Sequence, residues 1–183
     1  MKPEECTLYH SGLKGAEATF GEYAEKWGVK EVVFTYEGHT PDRAKNLVVL
    51  SEEELKRGDI SMELVSRMMK RNYAKPERIR KVLQVIFHMV NKGYQVFIVG
   101  EILPNHTVKG GTGWAAELAK LFNRPLHVFD QKQGKWFTWQ EGQWKEDTPV
   151  ISYQTFVGTG TRYLNEAGRK AIEELFERSF AQG

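Results

Sequence analysis

The sequence predicts an α/β protein: a Rossmann-like, mostly parallel sheet flanked by helices, with a small C-terminal β-hairpin addition. Three observations carry this. Short apolar runs rich in Val, Ile and Phe alternate along the chain with longer segments of helical period. Two of those runs lead through glycine-rich loops into helices: Ser11-Gly12-Leu13-Lys14-Gly15-Ala16 and Lys109-Gly110-Gly111-Thr112-Gly113-Trp114. The run from Gln95 to Val99 has almost no polar positions, as expected of a strand covered on both faces. Parallel strands joined by helices imply right-handed crossovers, and ligands of such sheets sit beyond the carboxyl ends of the strands.

Each element has its own signal. Residues 6–10 read as the first strand, and 15–27 as a helix stopped by Gly28. Glu31 to Tyr36 is a second strand, Gly38-His39-Thr40-Pro41-Asp42 a loop, and Asn46 to Leu50 a short third strand. Ser51 with Glu54 forms a capping box. The helix it opens breaks at Gly58 and resumes to about Arg71, with Leu64, Val65, Met68 and Met69 expected on one face. Pro76 suits a first helical position. Ile79, Val82, Leu83, Ile86, Met89 and Val90 follow at helical spacing until Gly93. Gln95 to Val99 is a strand, Gly113 to Phe122 a helix, and Leu126 to Asp130 a buried strand. Lys135 to Trp144 alternates aromatics around Glu141-Gly142 and reads as a hairpin. Tyr153 to Val157 is a further strand, and about Asn165 to Phe180 the last helix, with Ala171, Ile172, Leu175 and Phe176 inward.

The 183 residues fit one domain, 1–183, large enough to bury its own core. A net charge of +2, from 26 basic and 24 acidic residues, argues against nucleic acid or an anionic membrane as the main partner. The single cysteine, Cys6, fits a reducing compartment and reads as an inert thiol in a strand. With no N-terminal signal pattern and no long apolar run, a soluble cytoplasmic protein is expected. No metal pattern links His10, His39, His88, His106 and His127.

The chemistry-bearing candidates cluster at the loops. Gly110, Gly111 and Gly113 allow backbone to approach an anion, Thr112 adds a hydroxyl, and the helix that follows adds the partial positive charge of its N-terminus. Ser11, Gly12, Lys14 and Gly15 make a similar step in the first loop. Glu117, one turn into the second helix, suits a ribose hydroxyl or acid–base work on a glycosidic bond; a glutamate favoured by the helix dipole is the equal alternative. Gly158-Thr159-Gly160-Thr161-Arg162 reads as a third glycine-containing loop, with Arg162 suited to a bidentate phosphate contact. Arg71 and Tyr73 begin a basic run that continues through Lys75, Arg78, Arg80 and Lys81. Tyr73 is placed to stack on a base or to cap the core. Lys109 and Trp114 flank the second loop, with Trp114 as a candidate pocket wall. Trp136, Trp139 and Trp144 crowd the hairpin, as in a packed sheet face or a subunit contact.

At these residues the chain resembles a known group. Gly110-Gly111-Thr112-Gly113-Trp114-Ala115-Ala116-Glu117 is similar to the GGxGTxxE part of the PGGxGTxxE motif of the Lonely Guy phosphoribohydrolases. Those belong to the SLOG superfamily, with the DNA-processing protein A family. Ser11-Gly12 with Lys14-Gly15-Ala16 looks like that superfamily's first loop. Val108 to Trp114, with Val128-Phe129-Asp130-Gln131 and Gly158 to Arg162, resembles a branch labelled putative molybdenum carrier. The chain departs from the hydrolase motif at Lys109, where the motif has Pro, and at Trp114, where it has Thr.

The resemblance implies a Rossmann-like fold, a nucleotide-derived ligand such as ADP-ribose, a cyclic ADP-ribose-type signal or a nucleoside monophosphate, and a homodimer or homotetramer. It places Glu117 at the hydrolases' catalytic position, with Arg71 as a candidate for their arginine. The sequence therefore leads to a protein that holds a nucleotide-derived ligand. The alternatives are a phosphoribohydrolase, a molybdopterin or oxyanion carrier, and a single-stranded nucleic-acid binder. No metal site is expected, and no cofactor is assigned beyond the nucleotide-derived ligand.

Overall fold

The computed structural model describes residues 1–73 and 76–181; Lys75 of the basic run lies outside them. The chain is α/β. Eight strands form one sheet: β1 (Thr7–His10), β2 (Lys30–Tyr36), β3 (Leu47–Leu50), β4 (Gln95–Gly100), β5 (Leu126–Asp130), β6 (Lys135–Gln140), β7 (Gln143–Glu146) and β8 (Thr155–Gly160). Among the described residues six α-helices flank it: α1 (Ala16–Trp27), α2 (Glu52–Lys56), α3 (Asp59–Met69), α4 (Glu77–Lys92), α5 (Thr112–Leu121) and α6 (Glu166–Phe180).

The strand order is β3-β2-β1-β8-β4-β5-β6-β7. All pairs are parallel except β5 with β6 and β6 with β7, so the predicted hairpin extends one edge of the sheet. From β1 the chain winds outward through α1 to β2. From β4 it winds the other way through α5 to β5. The reversal lies between β1 and β4, and β8 fills that position, pairing with both. Such a reversal opens a crevice at the strands' carboxyl ends.

The core has a layer on each side of the sheet. On one side α3, α4 and α5 bring Met62, Val65, Met89 and Leu118 onto Val96, Ile98 and Val128. On the other, Phe20 of α1 and Ile172, Leu175 and Phe176 of α6 pack on Leu8, Phe97 and Phe156. Alternate residues of β4 therefore serve opposite layers, as the strand period demands.

Element ends follow local chemistry. Gly28 closes α1 in the left-handed region at φ +79°. Ser51 and Glu54 form the reciprocal capping bonds at α2. Pro76 is the N-cap of α4 rather than its first helical residue, and Gly93 ends that helix in an extended conformation. The inward face of α3 is Met62 and Val65. Leu64 and Met68, expected inward, are exposed with Ile60, because α3 packs on α4 and α5 through the opposite stripe. No helix among the described residues is long and apolar enough to cross a membrane.

Candidate functional site

A cleft of about 670 Å³ opens at the carboxyl ends of β1, β4 and β8, at the reversal of the sheet. Ser11 and Leu13 of the first loop, Lys109 to Thr112 of the second, and Thr159 to Tyr163 around the end of β8 line it. Val82, Leu83 and Ile86 of α4 form an apolar wall.

The first loop is fixed from beneath. The Gly12 N–H donates to Nδ1 of buried His10 at 2.9 Å, so the ring proton sits on Nε2, which donates to Glu31 Oε1 at 2.9 Å. Arg43 grips Glu31 with two bonds, Nε to Oε1 at 2.8 Å and Nη2 to Oε2 at 2.7 Å. Its backbone N–H donates to Gly12 O at 3.1 Å. Burial pushes the Glu31 carboxyl up, but the Arg43 and His10 bonds outweigh it and hold it at about 2.

The same loop is filled from above by a residue the sequence reading passed over, Glu17. Its Oε1 accepts the Ser11 N–H and hydroxyl, each at 2.7 Å, and the Leu13 N–H at 3.4 Å. Its Oε2 accepts the Thr159 hydroxyl at 2.6 Å. Glu17 is buried but reaches the cleft wall. Beside it the Ala16 N–H donates to Thr161 O at 3.0 Å. A Cβ on Gly15 would come within 2.5 Å of that oxygen and 2.7 Å of Arg162 Cα, so only glycine permits this approach. A first-turn glutamate looks unremarkable in sequence, and its partner Thr159 is 142 residues away.

The second loop differs. The N–H groups of Gly110, Gly111 and Thr112 find no acceptor among the described residues. A Cβ built on Gly110 or Gly111 meets nothing within 4 Å, so the backbone there faces open space. These amides stand at the start of α5, where helix geometry leaves donors unpaired and the dipole favours an anion. Side chains hold the long connection before them. Asp130 Oδ2 accepts the Ile102 N–H at 2.9 Å. Lys120 Nζ and Trp144 Nε1 donate to His106 O at 3.0 and 2.9 Å. Arg71 Nη1 donates to Gly110 O at 2.7 Å.

At the third position Thr159 and Gly160 belong to β8 and are not loop residues. A Cβ on Gly158 would meet Phe20 Cγ at 2.4 Å, and one on Gly160 would meet Val99 O at 2.2 Å, so these glycines mark close packing in a central strand. Thr161 and Arg162 follow the strand. Arg162 is exposed on the cleft rim and makes no ion pair with a described residue.

Of the predicted ligand residues, Ser11, Lys109, Gly110, Gly111, Thr112, Thr159, Gly160, Thr161 and Arg162 share the cleft. Gly12, Lys14, Gly15 and Gly113 are outside its lining, although Gly12, Gly15 and Gly113 shape the loops. Arg71 grips loop carbonyls and so positions the second loop. Tyr73 and Trp114 are buried against each other, ring centroids 5.8 Å apart, and neither walls the cleft. The Tyr73 hydroxyl donates to Asp59 at 2.6 Å, and the Arg80 guanidinium lies 4.1 Å from its ring centre. Burial, then Asp59, pushes the Tyr73 hydroxyl pKa up. Glu117 also lies outside the cleft lining: it pairs with Lys120 at 2.9 Å, and that ammonium sits 3.8 Å from the Trp139 ring centre. Two exposed lysines, Lys109 and Lys132, flank Glu101 at 3.7 Å each. No group of three or more His, Cys, Asp or Glu side chains among the described residues is placed to hold a metal ion.

No protein-family model, curated protein or solved structure matches the chain.

Proposed function

We propose that the protein binds a nucleotide-derived ligand in this cleft, as a holding protein of the SLOG type. Its phosphate sits on the Gly110, Gly111 and Thr112 amides at the start of α5. The observation that carries the reading is that trio of donors with no acceptor among the described residues, two of them on glycines that face open space, at the reversal of the sheet. Arg162 and Lys109 supply cationic partners on the rim, and Val82, Leu83 and Ile86 an apolar seat for a base. The same amides suit any tetrahedral oxyanion, which keeps the carrier reading within the same site. Glu117 is engaged with Lys120 outside the cleft, and this favours holding the ligand over cleaving it.

Thermal unfolding with AMP, GMP, ADP-ribose and cyclic ADP-ribose tests the reading. A ligand at a hundredfold excess over its Kd raises stability by about 2.7 kcal/mol. Gly111→Asp places a carboxylate among the free amides without a steric clash and abolishes that gain while the unliganded Tm stays close to wild type. If no nucleotide or inorganic phosphate shifts the wild-type Tm, the phosphate seat is refuted. Release of free base from any nucleotide makes the protein a hydrolase, with Glu17 the first carboxylate to substitute.

A further inference from the structure

The two glycine loops enter the cleft with opposite electrostatics. The second presents the N–H groups of Gly110, Gly111 and Thr112, which find no acceptor among the described residues. In the first, Ser11 N–H, Ser11 hydroxyl and Leu13 N–H all point at a protein carboxylate oxygen, Glu17 Oε1, and the Thr159 hydroxyl points at Oε2. At the start of α1 the Ala16 N–H donates to Thr161 O, and the Arg162 backbone lies against Gly15. A carboxylate in that position presents acceptor-only oxygens and a negative charge, as a bound phosphate would.

We propose that Glu17 is a selectivity device: it occupies the first loop as an internal anion and restricts the cleft to ligands with one phosphate. This rests on the reading that a phosphate sits at Gly110–Thr112. The ligand class is a phosphomonoester of a hydroxylated, uncharged carrier. Its phosphate takes the α5 amides and its hydroxyls lie toward the Glu17 end, where Oε2 accepts, among the described residues, only the Thr159 bond. A pyrophosphate spanning both loops meets a like charge it cannot displace, because Glu17 is held by bonds from two separate segments, 11–13 and Thr159. Selection here works by repulsion at one end as much as attraction at the other.

Calorimetric titrations at fixed ionic strength with ribose 5-phosphate, AMP, ADP and ADP-ribose provide the test. The wild type binds AMP at least about tenfold more tightly than ADP or ADP-ribose. In Glu17→Gln, which keeps size and removes charge, the ratio falls to within about threefold. ADP or ADP-ribose binding as tightly as AMP to the wild type overturns the inference and leaves the phosphate seat standing. So does an unchanged ratio in a cooperatively melting Glu17→Gln. Should that variant fail to fold, the wild-type ratio decides: ADP or ADP-ribose bound as tightly as AMP overturns the device. No binding by any of the four, nor by inorganic phosphate, overturns the seat and the inference together.

Discussion

At neutral pH Glu31 is ionised and His127 neutral, each in the state its buried partners require. His127 sits in a directional chain. Gln95 Nε2 donates to its Nε2 at 3.0 Å, its Nδ1 donates to Thr138 Oγ1 at 2.8 Å, and that hydroxyl donates to Asp147 Oδ2 at 2.7 Å. Burial pulls its pKa down to about 4. The two groups give different windows of acid sensitivity. An unfolded chain protonates His127 near 6.5 while the folded chain does not, so that contribution is complete above pH 6.5 and is lost as pH falls toward 4. Glu31, held at about 2 against an ordinary 4.5, contributes fully above 4.5 and loses its share as pH falls toward 2. Each shift corresponds to a contribution on the order of 3 kcal/mol. Urea unfolding at steps from pH 8 to pH 2 resolves both falls. His127→Gln flattens the upper and Glu31→Gln the lower. A stability that stays level from pH 8 to pH 4 contradicts the assignment to His127.

Between β4 and α5 the chain runs from Glu101 to Gly111 before the helix begins, and the site depends on that connection holding its shape. It is fastened at its start by Asp130, at its turn by Lys120 and Trp144, and at its end by Arg71. Arg71→Ala frees the Gly110 carbonyl without touching the ligand, so the expected result is about a tenfold loss of phosphate-ligand affinity, the order of one charge-assisted bond. Titration calorimetry reads this, with a Tm drop of only a few degrees as the control for folding. Ser51→Ala removes one side of the capping box at α2, costs about 1 kcal/mol and leaves ligand affinity unchanged, as chemical denaturation and titration together show.

At this scale much of the architecture was legible. Alternation of strand and helix signals, the capping box, Gly28 and the Glu141-Gly142 turn depend on local residues and appear where expected. What was not legible depends on distant partners. Gly158 and Gly160 read as a loop because glycine opposes strand formation locally, yet Phe20 and Val99 demand it there. Trp114 read as a pocket wall because it adjoins a glycine loop, and Tyr73 as either a base-stacking ring or a cap on the core; they find each other in the core. Glu17 gave no signal beyond its place after a glycine loop, because Thr159 reaches it only once β8 lies between β1 and β4.

For the whole molecule the last strand in sequence is the middle strand in space. Without β8, the sheet divides into β3-β2-β1 on one side and β4-β5-β6-β7 on the other. Loss of α6 also uncovers the layer of Leu8, Phe20, Phe97 and Phe156, and with Thr159, Thr161 and Arg162 the cleft loses one of its three sides. Two consequences follow from this placement. Folding must wait for contacts between distant parts of the chain, which places it among slow, non-local folders. Stability is shared between the halves through β8, so neither half is expected to melt ahead of the other. Ending the chain at residue 152, just before β8, therefore abolishes cooperative unfolding rather than lowering Tm by a few degrees. Calorimetry of that shortened chain is expected to show no heat-absorption peak, and the full chain a single one. In the full chain, amides of β1, β4 and β8 are expected to exchange with solvent together and most slowly, because only opening of the whole sheet exposes them. A cooperative transition in the shortened chain, or protection of β4 and β5 outlasting that of β1, contradicts the view that β8 makes the two halves one unit.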